Sequence, residues 1–415
     1  MLRMKGPGRI LKIIGPGLLV AATGVGAGDL ATGALTGSRL GVAILWVVLA
    51  GAFLKFVLNE GLTRWQLATG ETLIDGSCRL LGRKFGFLFL LYFLVWSFLV
   101  AAALMSACGA AASAIFPIFK DPGSNKICYG LLHSAIGLTL VRLGGFRVFE
   151  RLMGACIALM FLTVVVTAVL LAPGASVVLQ GMFLPTIPQF GQGGLEWVVA
   201  LTGGVGGTVT MLCYGYWIRE EGRTRIEDLA VCRIDLATGY LVTALFGMAM
   251  VIVGSTVEVS GSGVGLIVGL ADRLASELGP VAKGCFLLGA WSAVTSSLLG
   301  VWQSVPYLFS DLWRHCSPGE TLERSSDPTR ERPYIVYLYL LSTVPAIGLW
   351  WGFARMQKAY AMTGALFLPI LALALLLLNS GRGPLPPQLR NRPLTVVVLG
   401  ATLVFFLLFS WFVIF

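Results

Sequence analysis

Two glycine-rich clusters interrupt otherwise apolar stretches of the sequence. Residues 23–29 read Thr-Gly-Val-Gly-Ala-Gly-Asp, and residues 202–211 read Thr-Gly-Gly-Val-Gly-Gly-Thr-Val-Thr-Met. Glycine costs about 1 kcal/mol relative to alanine in a helix interior, so each cluster favours local unwinding of its helix. Unwinding would free backbone carbonyl and amide groups beside the Asp29 carboxylate. Such groups can bind a substrate or an ion. Whether the two clusters lie close enough to form one site depends on the helices that carry them.

The composition places these clusters in a membrane protein. Of the 415 residues, 57% are hydrophobic and only 12% are charged, with a mean hydropathy of +0.85. Soluble domains are about one quarter charged, so these values exclude a soluble fold, a disordered chain and a collagen-like repeat. The net charge of +10 in a membrane chain reflects basic loops on the cytoplasmic side rather than binding to nucleic acid.

Apolar runs separated by polar turns predict eleven transmembrane helices and an all-α integral membrane fold. With the N-terminus placed in the cytoplasm, 22 Lys and Arg residues lie in inside segments and 7 in outside segments, while Lys55 lies within the second helix. This bias predicts a cytoplasmic N-terminus and an outside C-terminus in the cell membrane. The predicted helices are approximately 13–38, 41–63, 86–116, 127–141, 147–172, 195–218, 235–257, 279–310, 334–352, 359–379 and 394–415.

The clusters fall in the first and sixth predicted helices, which are equivalent if helices 1–5 and 6–10 form an inverted repeat. We therefore expect one transmembrane domain over residues 1–415, with repeats at about 13–172 and 195–379 and an extra helix at 394–415. Paired broken helices in matching positions indicate a midplane substrate site of a secondary transporter. The alternative for either cluster alone is close packing of helices.

Asp29 is the one carboxylate deep in the first predicted helix. A charge near the bilayer centre costs at least about 2.5–3.5 kcal/mol on insertion scales, so such a residue usually faces a cavity or a partner. The alternative is that Asp29 caps the half-helix that follows it. Two other carboxylates favour roles near the membrane surface. Asp235, just after Arg233, is expected to act as a helix cap or in an ion pair, and Glu60 in an ion pair with a basic loop residue.

Several function classes find no support in the sequence. The eight cysteines are scattered and the two histidines are far apart, so neither a zinc site nor a disulfide framework is expected. A catalytic constellation and a phosphate-binding loop are also missing. We expect a protein that is not an enzyme, has no cofactor, binds no nucleic acid, needs no obligate protein partner and lies in a lipid bilayer.

Motifs along nearly the whole chain resemble the Nramp family, the natural resistance-associated macrophage protein transporters of divalent metals. The opening motif, Gly-Pro-Gly-Leu-Leu-Val at residues 15–20, is the most specific. Looser likenesses lie at residues 30–32 (Leu-Ala-Thr), 37–38 (Gly-Ser), 64–73 (Arg-Trp-Gln-Leu-Ala-Thr-Gly-Glu-Thr-Leu), 145–150 (Gly-Phe-Arg-Val-Phe-Glu) and 366–369 (Leu-Phe-Leu-Pro). The resemblance implies a LeuT-type inverted-repeat fold and proton-linked uptake of Mn or Fe.

The two site motifs depart from the family pattern. The family uses an Asp-Pro-Gly-Asn break in helix 1, and here its Asp corresponds to Gly26 and its Asn to Asp29. The family uses a Met-Pro-His break in helix 6. Here its Met corresponds to Thr210, or to Met211 with a shift of one residue, and its His is replaced by Leu212. These differences predict a divergent member, and the proton coupling does not carry over.

We therefore expect a divalent metal ion to be transported by alternating access. Asp29 would supply charge, with Gly26, Thr210 and Met211 as the other metal ligands. Further substrate contacts are expected at Val25, Gly206 and Thr208. If Met211 stays outside the site, hard oxygen donors remain, which suit Mg, Ca or Mn. The alternatives are an ion-coupled symporter of a small organic solute on the same fold and, from another class, a membrane enzyme or receptor.

Overall fold

The computed structural model describes residues 7–256, 264–317, 327–380 and 384–414, and every regular element within them is helical. Met1 and Phe415 lie outside these residues, so the predicted sides of the two termini stay predictions. The α-helices are α1 (Pro7–Gly24), α2 (Ala27–Leu40), α3 (Leu45–Thr69), α4 (Leu73–Ile115), α5 (Pro122–Leu143), α6 (Gly145–Leu171), α7 (Ala175–Phe183), α8 (Leu195–Gly204), α9 (Tyr214–Glu220), α10 (Leu229–Ser255), α11 (Val264–Leu278), α12 (Pro280–Cys316), α13 (Arg332–Thr343), α14 (Phe353–Ala365), α15 (Phe367–Asn379) and α16 (Pro393–Ile414).

Eight helical segments in the described part of the chain are long and apolar enough to cross a membrane. Two shorter apolar helices, Ile14–Gly24 and Pro393–Leu407, lie where the first and eleventh spans are predicted. The fourth predicted span coincides with α5, which is 22 residues long but is not among the eight. The protein is thus an all-helical, multi-pass membrane protein, whereas the number eleven stays a prediction.

Both predicted helix breaks are present. The first lies between the end of α1 at Gly24 and the start of α2 at Ala27. The second lies between the end of α8 at Gly204 and a short 3₁₀ helix, Val209–Cys213, that leads into α9. Gly206 and Gly207 have φ angles of 76° and 78°. This left-handed conformation is accessible to glycine at little cost, which explains why the cluster unwinds here.

Several predicted boundaries were wrong. The third helix begins at Leu73 rather than residue 86, because a capping box between Thr72 and Asp75 starts it and Gly82, with a φ of 80°, joins two helical parts. The tenth predicted helix consists of α14 and α15 and begins at Phe353 rather than residue 359. Helices α7 and α11 were not predicted, because their sequences lie in segments that had been assigned to loops.

The broken helices lie inside the bundle, where α1 and α2 pack on α10, and α12 packs on α1, α4 and α6. Small residues allow the backbones to approach closely. A Cβ atom on Gly17 would collide with the backbone of Asp235, and one on Gly37 would collide with that of Val251. This packing surrounds the breaks with protein, which unwound backbone at membrane depth requires.

Candidate functional site

The two breaks cross in direct contact. A Cβ atom placed on Gly24 would lie 2.6 Å from the carbonyl carbon of Gly206, and one placed on Gly207 would lie 3.3 Å from the Cα of Gly24. No side chain larger than hydrogen fits between these backbones. Both interpretations of the glycine clusters therefore apply. The glycines permit close packing of the helices and also unwind them at the same point.

Asp29 joins the two breaks. Its side chain is buried, and its Oδ2 accepts a hydrogen bond from the Gly206 backbone N–H at 3.1 Å. Its Oδ1 is buried with no hydrogen-bond partner among the residues that the structure describes. The alternative of a helix cap is wrong, because the N-cap of α2 is Gly26 and Asp29 lies within the first helical turn. The positive end of the helix dipole favours a carboxylate at this position.

Lys55 is the site residue that the sequence analysis missed. It lies in α3 and is fully buried. Its Nζ donates a hydrogen bond to the Gly203 carbonyl oxygen at 2.8 Å and another to the Val205 carbonyl oxygen. Lys55 is also close enough to Asp29 for their opposite charges to interact. A lysine within an apolar span carries the same insertion cost that singled out Asp29, and that signal was available in the sequence.

The two predicted backbone ligands of the first break have local roles in the structure. The Gly26 carbonyl oxygen accepts the hydrogen bond of the Leu30 N–H at 3.0 Å, which begins α2. Val25 is buried, and its N–H bonds to the Ala21 carbonyl oxygen at 2.8 Å. The Gly26 carbonyl oxygen keeps a second lone pair. Neither Gly26 nor Val25, however, is singled out by the structure as a ligand that is free to bind a metal ion.

The three predicted ligands after the second break, Thr208, Thr210 and Met211, have different surroundings. The Thr210 hydroxyl lies beside Gly207, which faces Gly24 where the two breaks cross. The Thr208 hydroxyl accepts a hydrogen bond from the Trp96 indole N–H at 3.3 Å. Met211 is fully buried within the apolar core.

Helix α14 contributes Gln357, which the predicted boundary at 359 had excluded. Gln357 is 6% exposed, and its amide oxygen and nitrogen are both buried without a hydrogen-bond partner in the described part of the chain. A Cβ atom on Gly28 would lie 3.6 Å from its Nε2. The ring of Tyr360 lies on the same side, with Cε1 3.8 Å from a Cβ placed on Gly28. The amide of Gln357 is thus an unused polar group beside the first break.

The predicted ion pairs exist, with partly different partners. Glu60 pairs with Arg233 at 2.7 Å, but Arg233 lies in α10 rather than in a loop. Asp235 pairs instead with the buried Arg223 at 2.8 Å. Neither pair reaches the breaks. No group of three or more His, Cys, Asp and Glu side chains that could hold a metal occurs among the described residues, so a cation at the breaks would depend on Asp29 together with neutral oxygens.

A family model described as natural resistance-associated macrophage protein-like matches residues 17–415. The chain belongs to the Nramp family. Members of this family are membrane transporters and not enzymes, and membership implies a divalent metal substrate. No curated protein matches the sequence significantly.

Solved structures share the fold of this Nramp protein. Structures of the Eremococcus coleocola manganese transporter match with a TM-score of 0.70 and 18% identity, covering 98% of this chain and 87% of that one. A structure of MhsT in complex with L-phenylalanine matches with a TM-score of 0.57 and 16% identity, covering 94% of this chain and 98% of that one. The resemblance to LeuT-fold transporters is therefore present at the level of the fold.

Proposed function

We propose that this Nramp protein is a secondary transporter that moves a divalent metal ion by alternating access through the crossing of its two helix breaks. The observation that carries the proposal is Asp29, a buried carboxylate that binds the Gly206 N–H across the breaks and leaves Oδ1 without a partner in the described part of the chain. A buried carboxylate oxygen with no partner is costly unless something else binds it. A transported cation would satisfy it.

The proposed metal ligands are Asp29, Gly26, Thr210 and Met211, with further substrate contacts from Val25, Gly206 and Thr208. The position of Met211 in the apolar core favours a site of oxygens alone. Carboxylate, carbonyl and hydroxyl oxygens suit Mg, Ca or Mn, whereas a thioether would favour softer metals. The E. coleocola protein is described as a manganese transporter, and Mn is compatible with such a donor set.

Lys55 favours a second candidate, transport of a small zwitterionic organic solute. The opposite charges of Asp29 and Lys55 make the site neutral overall, which suits a zwitterion better than a doubly charged cation. A carrier of this kind would use the same breaks, where half-helix ends meet the charged groups of the substrate. MhsT, which has the same fold, is described in complex with L-phenylalanine.

The deciding experiment is calorimetric titration of the purified protein with Mg²⁺, Ca²⁺, Mn²⁺ and a set of amino acids. Saturable binding of a divalent metal, with transport of the same metal into proteoliposomes, supports the first candidate. Asp29→Asn keeps the shape of the side chain but removes its charge, so it should abolish or greatly weaken metal binding. Binding of an amino acid without any metal binding supports the second candidate and rejects the first.

We also propose that the chain forms one transmembrane unit of two inverted repeats in the cell membrane, with a cytoplasmic N-terminus and an outside C-terminus. The support is the excess of Lys and Arg in the predicted inside segments. Residues 13–172 and 195–379 would form the repeats, and 394–415 the additional helix.

A further inference from the structure

We propose that the Lys55 ammonium is a resident cation that holds the carbonyl oxygens of the second break and must leave them before a transported cation can bind there. The inference rests on the proposed function, since it takes the crossing of the breaks to be the substrate site. It adds Lys55, a residue of α3, to a site otherwise formed by the two broken helices. It also predicts that Lys55 and a metal ion bind in competition.

The geometry at Lys55 is that of a cation site. The carbonyls of Gly203 and Val205 lie at the C-terminal end of α8, where carbonyl groups lack helical partners and the helix dipole is negative. The Lys55 Nζ donates to both of these carbonyl oxygens, and the charge of Asp29 lies close by. Carbonyl oxygens, with a carboxylate charge nearby, are the kinds of group that hard metal cations use.

The charge balance makes occupation by both cations unfavourable. With Lys55 in place, the carboxylate of Asp29 is already neutralised, and a divalent ion would add two uncompensated charges to a buried site. Burying charge without compensation is expensive, because the surrounding protein screens far less than water does. Without the ammonium, the same oxygens carry one net negative charge and favour a cation.

A purely structural role for Lys55 gives different expectations. A lysine that only fastened α3 to the end of α8 would stabilise the break, and its removal would lower stability without creating affinity for ions. A resident cation instead leaves behind a vacant set of oxygens. Gain of cation binding therefore separates the two roles, whereas loss of stability alone does not.

The test is titration of Lys55→Met with Mn²⁺ and Ca²⁺. The substitution keeps an unbranched side chain, one atom shorter, and removes the charge. We expect its affinity for at least one of these ions to exceed that of the wild-type protein by about tenfold or more. The gain should disappear in the double variant with Asp29→Asn. Lys126→Met is the matched control, since Lys126 also donates to a backbone carbonyl oxygen, that of Trp351, but is only partly buried and lies in α5, away from the breaks. It should bind ions as the wild type does.

The outcomes separate this inference from the proposed function. Tighter binding by Lys55→Met beside a wild-type protein that binds no metal supports the resident cation and rejects metal transport. If the wild-type protein binds a metal and Lys55→Met does not bind it more tightly, the resident cation is rejected, whereas metal transport remains supported. If Lys55→Met is recovered only as aggregate, purification with Ca²⁺, Mn²⁺ or methylammonium becomes the measurement. Recovery of folded protein with an added cation supports the inference, and failure with all three overturns it.

Discussion

The Gly17 backbone N–H donates a hydrogen bond to Asp235 Oδ1 at 2.7 Å, which ties the first half of the first broken helix to α10. The other carboxylate oxygen of Asp235 accepts hydrogen bonds from Tyr214 at 2.9 Å and from Arg223 at 2.8 Å. One buried carboxylate thus fixes α1, α9 and the segment before α10 relative to one another. One half of each broken helix, α1 in the first and α9 in the second, is therefore held by the same carboxylate.

Asp235→Asn should therefore destabilise the fold without changing the substrate site. Removing one partner of a buried ion pair typically costs about 3–5 kcal/mol, because the remaining charge loses its compensation. We expect a clear fall in the melting temperature in detergent, while the affinity of the folded fraction for its substrate stays that of the wild type. Asp29→Asn provides the contrast, with lost affinity and a smaller thermal effect. A variant of Asp235 that lost affinity at unchanged stability would contradict this assignment.

The helix breaks could be predicted from the sequence because their cause is local. Clustered glycines weaken a helix wherever it lies, and the left-handed φ angles of Gly206 and Gly207 follow from that preference. The environment of Lys55 could not be predicted in the same way, since the carbonyls that it binds are about 150 residues away in the sequence. Gln357 was missed because a helix boundary was placed too late. Only long-range packing, which sequence periodicity does not encode, brings both residues beside the breaks.

The contact between Gly24 and Gly206 predicts that Gly24→Ala disrupts transport. The added methyl group would lie 2.6–2.9 Å from backbone atoms of Gly206, so the two breaks would have to separate. Overpacking of this kind typically costs about 1–3 kcal/mol. We expect transport to be lost and the melting temperature to fall. Gly154→Ala in α6 is the control, because nothing lies within 4 Å of the added Cβ, and it should behave as the wild type. Normal transport by Gly24→Ala would show that the breaks need not touch.

The positions of Thr210 and Met211 predict that substitution of Thr210 weakens substrate binding and that substitution of Met211 does not. The Thr210 hydroxyl lies at the crossing, whereas Met211 is packed in the core. Thr210→Ala should weaken substrate binding by about tenfold, the loss expected when one good hydrogen-bonding or ligand oxygen is removed. Thr210→Ser, which keeps the hydroxyl, should retain most of the affinity.

Met211→Ala should change selectivity little, although the cavity it leaves would lower stability. Met211→Leu conserves volume and separates the two effects. Competition between Mn²⁺, Cd²⁺ and excess Mg²⁺ in proteoliposomes measures the selectivity of each variant. A wild-type protein that strongly prefers Cd²⁺ or Mn²⁺ over a large excess of Mg²⁺, and that loses the preference in both Met211 variants, would show the oxygen-only site to be wrong.

The charge bias of the loops predicts that the two termini lie on opposite sides of the membrane. Protease-cleavable tags placed before Met1 and after Phe415 would measure this in intact cells and in inverted vesicles. We expect the N-terminal tag to be cleaved only in inverted vesicles and the C-terminal tag only in intact cells. Internal tags provide controls: one after Gly174, in a predicted outside loop that has no Lys or Arg, and one after Pro386, in a predicted inside loop. Cleavage of both terminal tags from the same side would mean an even number of spans. The second repeat would then have no reason to enter the membrane inverted, and the equivalence of the two breaks would be lost.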